Sequence, residues 1–179
     1  MTDADGFILQ GHFHGFHLMH IAVRNDDLGY IEANKEFVNL AAKSSLEATP
    51  FHYGIMLRRS RSTLNTLVRC GANIDKKDKF GQTPLTFACA YESQAGRIES
   101  LLAHKADPNA RSNFGQTPIM RAAILGPAEN MKLLIDGGAE ITAVQTGGDL
   151  YRGMSAVNLC RNPESRDLLE RARKYQEST

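Results

Sequence analysis

Phe80-Gly81-Gln82-Thr83-Pro84 and Phe114-Gly115-Gln116-Thr117-Pro118 are the same five residues set 34 positions apart. Each is followed by a short apolar segment with alanine in the same place, Ala88 and Ala122, and each unit closes on a turn, Lys105-Ala106-Asp107 and Gly138-Ala139-Glu140. A fixed period of this size marks a chain built from repeated supersecondary units. Weaker copies lie in phase. Thr49-Pro50-Phe51-His52-Tyr53-Gly54 repeats the start, and Cys70-Gly71-Ala72-Asn73 closes that unit. Upstream, His17-Leu18-Met19-His20-Ile21-Ala22 keeps the His and Ala places. Downstream, Ser155-Ala156-Val157-Asn158-Leu159-Cys160 keeps a capping Ser and a small residue. The starts at 17, 49, 83, 117 and 155 are spaced by 32, 34, 34 and 38 residues.

Each piece has a physical reading. A Thr or Ser hydroxyl accepts a free backbone N–H at a helix start, and Pro suits the first helical position, where no N–H is needed. The small residues Ala22, Gly54, Ala88, Ala122 and Cys160 let neighbouring helices approach closely. A second helix follows, with apolar pairs Leu67-Val68, Leu101-Leu102, Leu133-Leu134 and Leu168-Leu169. Gly71 and Gly138 fit the left-handed position that ends a helix, and Gly81 and Gly115 serve the turn before the next Thr. Each unit is helix, turn, helix, then an exposed loop. The first unit has a short second helix, around Asp27–Lys35.

With these residues in place the chain resembles the ankyrin repeat family, whose pattern is a Thr-Pro-Leu-His-x-Ala start on a period of ~33 residues. The resemblance covers roughly His17 to Ala172. It is strong in the third and fourth repeats, good through Thr49–Gly54 and Gly71–Asn73, and degenerate in the first and last, as terminal caps usually are. The expected fold is all-α, a solenoid of stacked helix-turn-helix units with protruding loops. The expected organisation is a tail, 1–14, and one repeat domain, 15–179, divided at about 15–46, 47–80, 81–114, 115–152 and 153–179. One departure is a loop four residues longer than standard, Gly147-Gly148-Asp149-Leu150-Tyr151-Arg152-Gly153. It is either part of a binding side or a tolerated extension.

Composition agrees with an array. The 179 residues carry 21 basic and 20 acidic side chains, a net charge of +1 that argues against binding nucleic acid through bulk positive charge. Apolar residues at 42% suffice for a core, while an aromatic share of 7% with no Trp disfavours a large β-sandwich. The three cysteines, Cys70, Cys89 and Cys160, have no metal or disulfide spacing. No apolar run approaches the ~18–20 residues that span a bilayer. The acidic Met1–Asp5 start is unlike a signal peptide, and no Asn-x-Ser/Thr acceptor occurs. These features predict an intracellular, cytoplasmic protein, with a nuclear site or a secreted effector as variants.

The resemblance implies a protein-binding module without chemistry of its own: an adaptor, scaffold or inhibitor. Its partner would be another protein or extended peptide lying on a concave face of loop tips and first helices. The slots so implied for the partner are Phe13, Leu46, Met56, Leu57, Lys79, Phe80, Tyr91, Phe114, Leu125, Tyr151 and Arg152, with His14, Phe16, Arg24, Ser45 and Asn113 beside them; Arg58 and Arg59 join the candidates through the local charge alone. Phe13, Leu46, Phe80, Phe114 and Tyr151 fall at or next to one slot in five successive loops. Aromatic anchors of this kind dominate interface energies, and packing of loop on loop is the competing reading. Residues 1–50 hold 3 basic and 7 acidic side chains, and residues 58–79 hold 7 basic against Asp75 and Asp78. The basic middle suits a partner with an acidic segment; an ordinary solvated surface is the alternative. No nucleic acid, membrane, metal or cofactor is expected, and the chain alone is expected to be monomeric.

The rival class is an unusual small-molecule enzyme or metal-binding protein using groove histidines. His12, His14, His17 and His20 crowd together, and His17 and His20 would share a helix face. But His20 and His52 occupy the family's His slot, where the ring normally hydrogen-bonds between adjacent loops. No nucleophile elbow, zinc-protease helix or phosphate loop occurs. Cys70, Cys89 and Cys160 read as packed small residues.

Overall fold

The computed structural model describes residues 17–41, 46–91, 95–148 and 150–178. The 1–14 tail, with Phe13, His12 and His14, lies outside these residues, as do Phe16 and Ser45. The described residues form ten α-helices and no strands; the nearest to a sheet is an isolated antiparallel bridge between Val144 and Ser155. The repeat fold is therefore all-α.

The described residues group into two compact units, one ending at Lys79 and the other beginning at Phe80. In the first, α1 (Leu18–Arg24) and α2 (Leu28–Ala33) form one pair, and α3 (Pro50–Met56) and α4 (Arg61–Arg69) form the next. A 3-10 turn, Lys35–Phe37, follows α2. Helix α1 packs on α3, and α2 on α4. In the second unit the pairs are α5 (Pro84–Cys89) with α6 (Ala95–Ala103), α7 (Pro118–Leu125) with α8 (Ala128–Asp136), and α9 (Ala156–Leu159) with α10 (Pro163–Glu177). There α7 packs between α5 and α9, and α8 between α6 and α10. Met19, Phe51, Ile55 and Leu67 fill the seams of the first unit, and Leu85, Leu101, Ile119 and Leu134 those of the second, all essentially shut off from solvent.

The small-residue slot works as its composition implies. A Cβ on Gly54 would sit 3.0 Å from Leu64 Cδ2 and 3.3 Å from Val23 Cγ1, so the helix backbone is already in contact with its neighbours. Ala22, Ala88, Ala122 and Cys160 are buried in the same place. Cys160 departs in one respect: its extended backbone, with ψ 121°, ends α9 after four residues. The fifteen-residue α10 then closes the unit.

Helix ends are fastened by a repeated set of bonds. After α4, Gly71 N–H donates to Val68 O at 3.0 Å and Ala72 N–H to Leu67 O at 2.9 Å. Lys105 and Ala106 make the same two bonds after α6, at 2.9 and 3.0 Å, and Gly138 and Ala139 make them after α8, at 3.0 and 2.9 Å. This double closure satisfies the orphan carbonyls of the last turn and requires one left-handed residue. Gly71 and Gly138 supply it at φ 87° and 88°; in the middle repeat Lys105 is held at φ 66°. Asparagines then clamp one repeat to the next. Asn39 Nδ2 donates to Gly71 O at 2.9 Å while its Oδ1 accepts Asn73 N–H at 2.6 Å. Asn109 does the same to Gly138 O, at 3.1 Å, and Glu140 N–H, at 2.7 Å. At the end of the array Gln176 on α10 takes over, bonding Ala139 O at 2.9 Å and Ile141 N–H at 3.2 Å.

Because Lys105 bears a Cβ in a position that two sister repeats give to glycine, Lys105→Gly should stabilise the chain by about 0.5–1 kcal/mol. Urea unfolding should show a higher midpoint with an unchanged slope.

Candidate functional site

The turn glycines explain how the loops reach one another. Gly81 and Gly115 have φ 75° and 74°. A Cβ on Gly81 would fall 2.6 Å from Asn113 N, and one on Gly115 would fall 2.8 Å from Thr146 N. Each loop therefore lies directly against the next. The carbonyl just before the glycine takes the contact: Asn113 N–H donates to Phe80 O at 2.9 Å, and Gly147 N–H to Phe114 O at 2.9 Å. In the first unit Lys79 N–H donates to Leu46 O at 3.0 Å in the corresponding place. Leu46, Phe80 and Phe114 are thus held by their backbones.

Their side chains differ in exposure. Phe80 is 39% exposed and Phe114 49%, whereas Leu46 is half-buried. The Phe114 ring lies over the glycine pair of the next loop, since a Cβ on Gly147 would be 3.6 Å from Phe114 Cδ1. Loop packing and solvent exposure therefore coexist at Phe114. Tyr151 belongs to the longer loop, two residues before Gly153, whose φ of 76° matches Gly81 and Gly115. The longer loop folds back on itself: Gln145 N–H donates to Met154 O at 3.0 Å, Gly153 N–H to Gln145 O at 2.8 Å, and Met154 N–H to Tyr151 O at 3.1 Å. Tyr151 is half-buried within this turn, while Arg152 is exposed. The same turn exposes Val144, Met154 and Leu150, the last at 73%. Sequence reasoning named the extension, Leu150 within it, but gave none of these three apolar side chains a place among the partner slots.

At the ends of the first helices of the second unit, Tyr91 is 40% exposed and Leu125 53%. Behind them Asn130, buried on α8, donates through Nδ2 to Cys89 O at 3.3 Å and Tyr91 O at 3.1 Å, fixing the end of α5. In the first unit Met56 and Leu57 are half-buried, and Arg58 and Lys79 are exposed. Arg59 is drawn inward. Its guanidinium donates to Arg24 O at 2.9 Å, to Leu57 O at 3.1 and 3.2 Å, and to Asp26 Oδ2 at 3.3 Å. Arg69 likewise meets Glu32 at 2.9 Å. The acidic start and the basic middle therefore partly neutralise one another inside this unit. Both pairs are solvent-exposed enough to contribute under ~1 kcal/mol each.

The histidines have structural work. His20 is fully buried, its Nε2 2.9 Å from Ala48 O and its Nδ1 accepting His17 N–H at 3.3 Å. That pair of bonds requires the neutral ring with its proton on Nε2. Burial, opposed by those bonds, holds His20 below the ordinary histidine value of 6.5. His52 Nδ1 lies 2.8 Å from the Thr49 hydroxyl at the start of α3. Thr83 pairs with Thr86 at 3.1 Å, and Ser155 with Asn158 at 2.9 Å, in the same slots. The fourth repeat breaks the series. Met120 fills the slot and the buried Thr117 hydroxyl has no partner among the described residues. Burial also raises the Cys89 and Cys160 thiols above their ordinary value, which keeps them protonated at neutral pH. Among the described residues no three His, Cys, Asp or Glu side chains converge as a metal set, and no helix is long and apolar enough to cross a membrane.

Residues 51–145 match a family model described as ankyrin repeats, in three copies. A search of curated proteins finds no match.

Unfolded chain takes up a proton near pH 6.5 that buried His20 refuses, so this contribution to stability is complete above that value and is lost as pH falls below it. Melting temperature should drop between about pH 7.5 and pH 5, and should drop less in His20→Gln, whose amide does not titrate. Identical pH profiles for the two proteins would contradict a His20 held neutral by burial.

Proposed function

The chain belongs to the ankyrin repeat family, and from that premise we propose that it is a binding module whose loop tips and first-helix ends take a partner protein or an extended peptide. Ankyrin repeats are generally protein–protein interaction modules, and the recognition is expected to involve no reaction. The module would act as adaptor, scaffold or inhibitor by positioning or blocking its partner. The observation that carries this reading is the pair Phe80 and Phe114. Both rings stand 39–49% exposed on backbones that the next loop holds by hydrogen bonds of 2.9 Å. A large side chain on a fixed backbone loses little conformational freedom on binding, which favours it as an anchor. Tyr91 and Leu125 extend the apolar set along the first helices of the same unit, and Leu150 and Met154 extend it along the longer loop.

Charge supports a partner with an acidic segment. Arg58 and Lys79 are exposed in the first unit, and Arg152 in the second. Arg59 supports the fold at the same time, through Asp26 and Arg24 O. Three free cysteines, two of them buried, fit a reducing cytoplasmic setting.

Partners captured by proximity labelling in the native cell supply the binding assay. Phe80→Ala with Phe114→Ala should weaken the captured interaction by about tenfold or more while the helical circular dichroism signal holds. Unchanged affinity in a titration would remove the anchor role. Binding should also weaken as salt rises past ~0.15 M. Arg58→Ala should lower the on-rate, whereas Arg59→Ala should lower the melting temperature; a flat salt response would remove the electrostatic part of the reading.

A further inference from the structure

We propose that Ser60 is a phosphorylation site for a serine kinase that reads basic residues, and that a phosphoryl group there releases the first helix pair from the second. The turn joining α3 to α4 reads Leu57-Arg58-Arg59-Ser60-Arg61-Ser62, with arginine at both positions before Ser60. Kinases discriminate among substrates by charge patterns of this kind. Residues 57–60 lie outside both helices, and Arg58 and Ser60 are exposed. Ser60 has extended backbone, φ −61° and ψ 155°, which a cleft engages without unwinding a helix. Ser62 has a similarly basic setting but lies inside α4.

Ser60 also sits where the two pairs are joined. Its Oγ donates to Asp26 Oδ1 at 3.3 Å, accepts Thr63 N–H at 3.2 Å, and lies 3.0 Å from Thr63 Oγ1. The same Asp26 oxygen accepts Thr63 Oγ1–H at 2.5 Å and Ser60 N–H at 3.4 Å, and its other oxygen accepts Arg59 Nη1–H at 3.3 Å. Asp26 belongs to the turn between α1 and α2; every one of these donors belongs to the approach to α4 or its first turn. One carboxylate thus collects four donors across the seam.

Transfer forms a bond from Ser60 Oγ to the γ-phosphorus of ATP and breaks the β–γ bridging bond. ADP leaves, and the hydroxyl proton passes to the base of the kinase. The product carries a charge of about −2 in the space the Asp26 carboxylate now fills. Neither anion can donate to the other. The phosphate is tethered at the start of α4, so it takes the helix N–H groups, the Thr63 hydroxyl and Arg59, and Asp26 is displaced. Helix α4 keeps a cap while α1 and α2 lose their hold on it.

The full chain is incubated with the catalytic subunit of cyclic-AMP-dependent protein kinase, magnesium and ATP. The site is then mapped by tandem mass spectrometry and the product followed by amide hydrogen exchange. Phosphate is expected on Ser60, retained in Ser62→Ala and absent from Ser60→Ala, with both variants folded by circular dichroism. Exchange in α1 and α2 should accelerate by about tenfold or more on phosphorylation, with α4 unchanged. In Asp26→Asn, where the seam is already weakened, phosphorylation should add little further acceleration. No phosphate, or phosphate confined to Ser62 or Thr63, overturns the site. Phosphate on Ser60 with α1 and α2 exchanging at their former rate overturns the release.

Discussion

Nine of the ten helices have nine residues or fewer. Helices shorter than ~12 residues are marginal in water even with favourable sequences, so none of these holds itself. Each must be fastened at its ends and buried on a neighbour at once. That constraint accounts for the repeated caps. Thr, Ser or His receives N–H groups at the start of most first helices, and a left-handed residue closes the carbonyls at the end of the second. It also accounts for the repetition itself, because one pair alone leaves its Leu-lined seam open to water.

The same fastening makes a surface for recognition. A loop that is stitched by its carbonyl to the next loop spends its backbone on the fold and leaves its side chain outside. Phe80 and Phe114 show this directly: their oxygens are bonded and their rings are exposed. The longer fourth loop reaches a similar end differently. It closes on itself through Gln145, Gly153 and Met154 and leaves Leu150 exposed.

In the first unit charge ties one helix pair to the next. Asp26 stands at φ 54°, in a left-handed position that most residues avoid, and this conformation aims its carboxylate at the start of α4. The Thr63 hydroxyl bond, above all, holds its carboxyl below the ordinary value of 3.8. An ionised group at the surface therefore supplements the buried apolar seam between neighbouring repeats here, and a change of charge beside it reaches that seam directly.

The repeat, the caps and the helix-ending glycines were legible from Thr-Pro spacing and from Gly71 and Gly138, because they depend on residue type at fixed local offsets. Sequence also placed Leu46, Phe80 and Phe114 in one slot, since identical flanking turns carry them. It did not separate Arg58 from Arg59, which are neighbours of the same charge; only the fold brings Asp26 and Arg24 O beside one and leaves the other exposed. Nor did it show the asparagine clamps, whose partners lie about thirty residues away. Tyr151 was aligned beside the loop phenylalanines by count, and Gly153, at φ 76°, stands before Ser155 as Gly81 and Gly115 stand before their Thr; that the extra residues leave Tyr151 half-buried was not legible. Local backbone chemistry is written in the sequence. Which side chain is used up by the fold and which is left for a partner depends on what lies across the seam, and tertiary packing decides it.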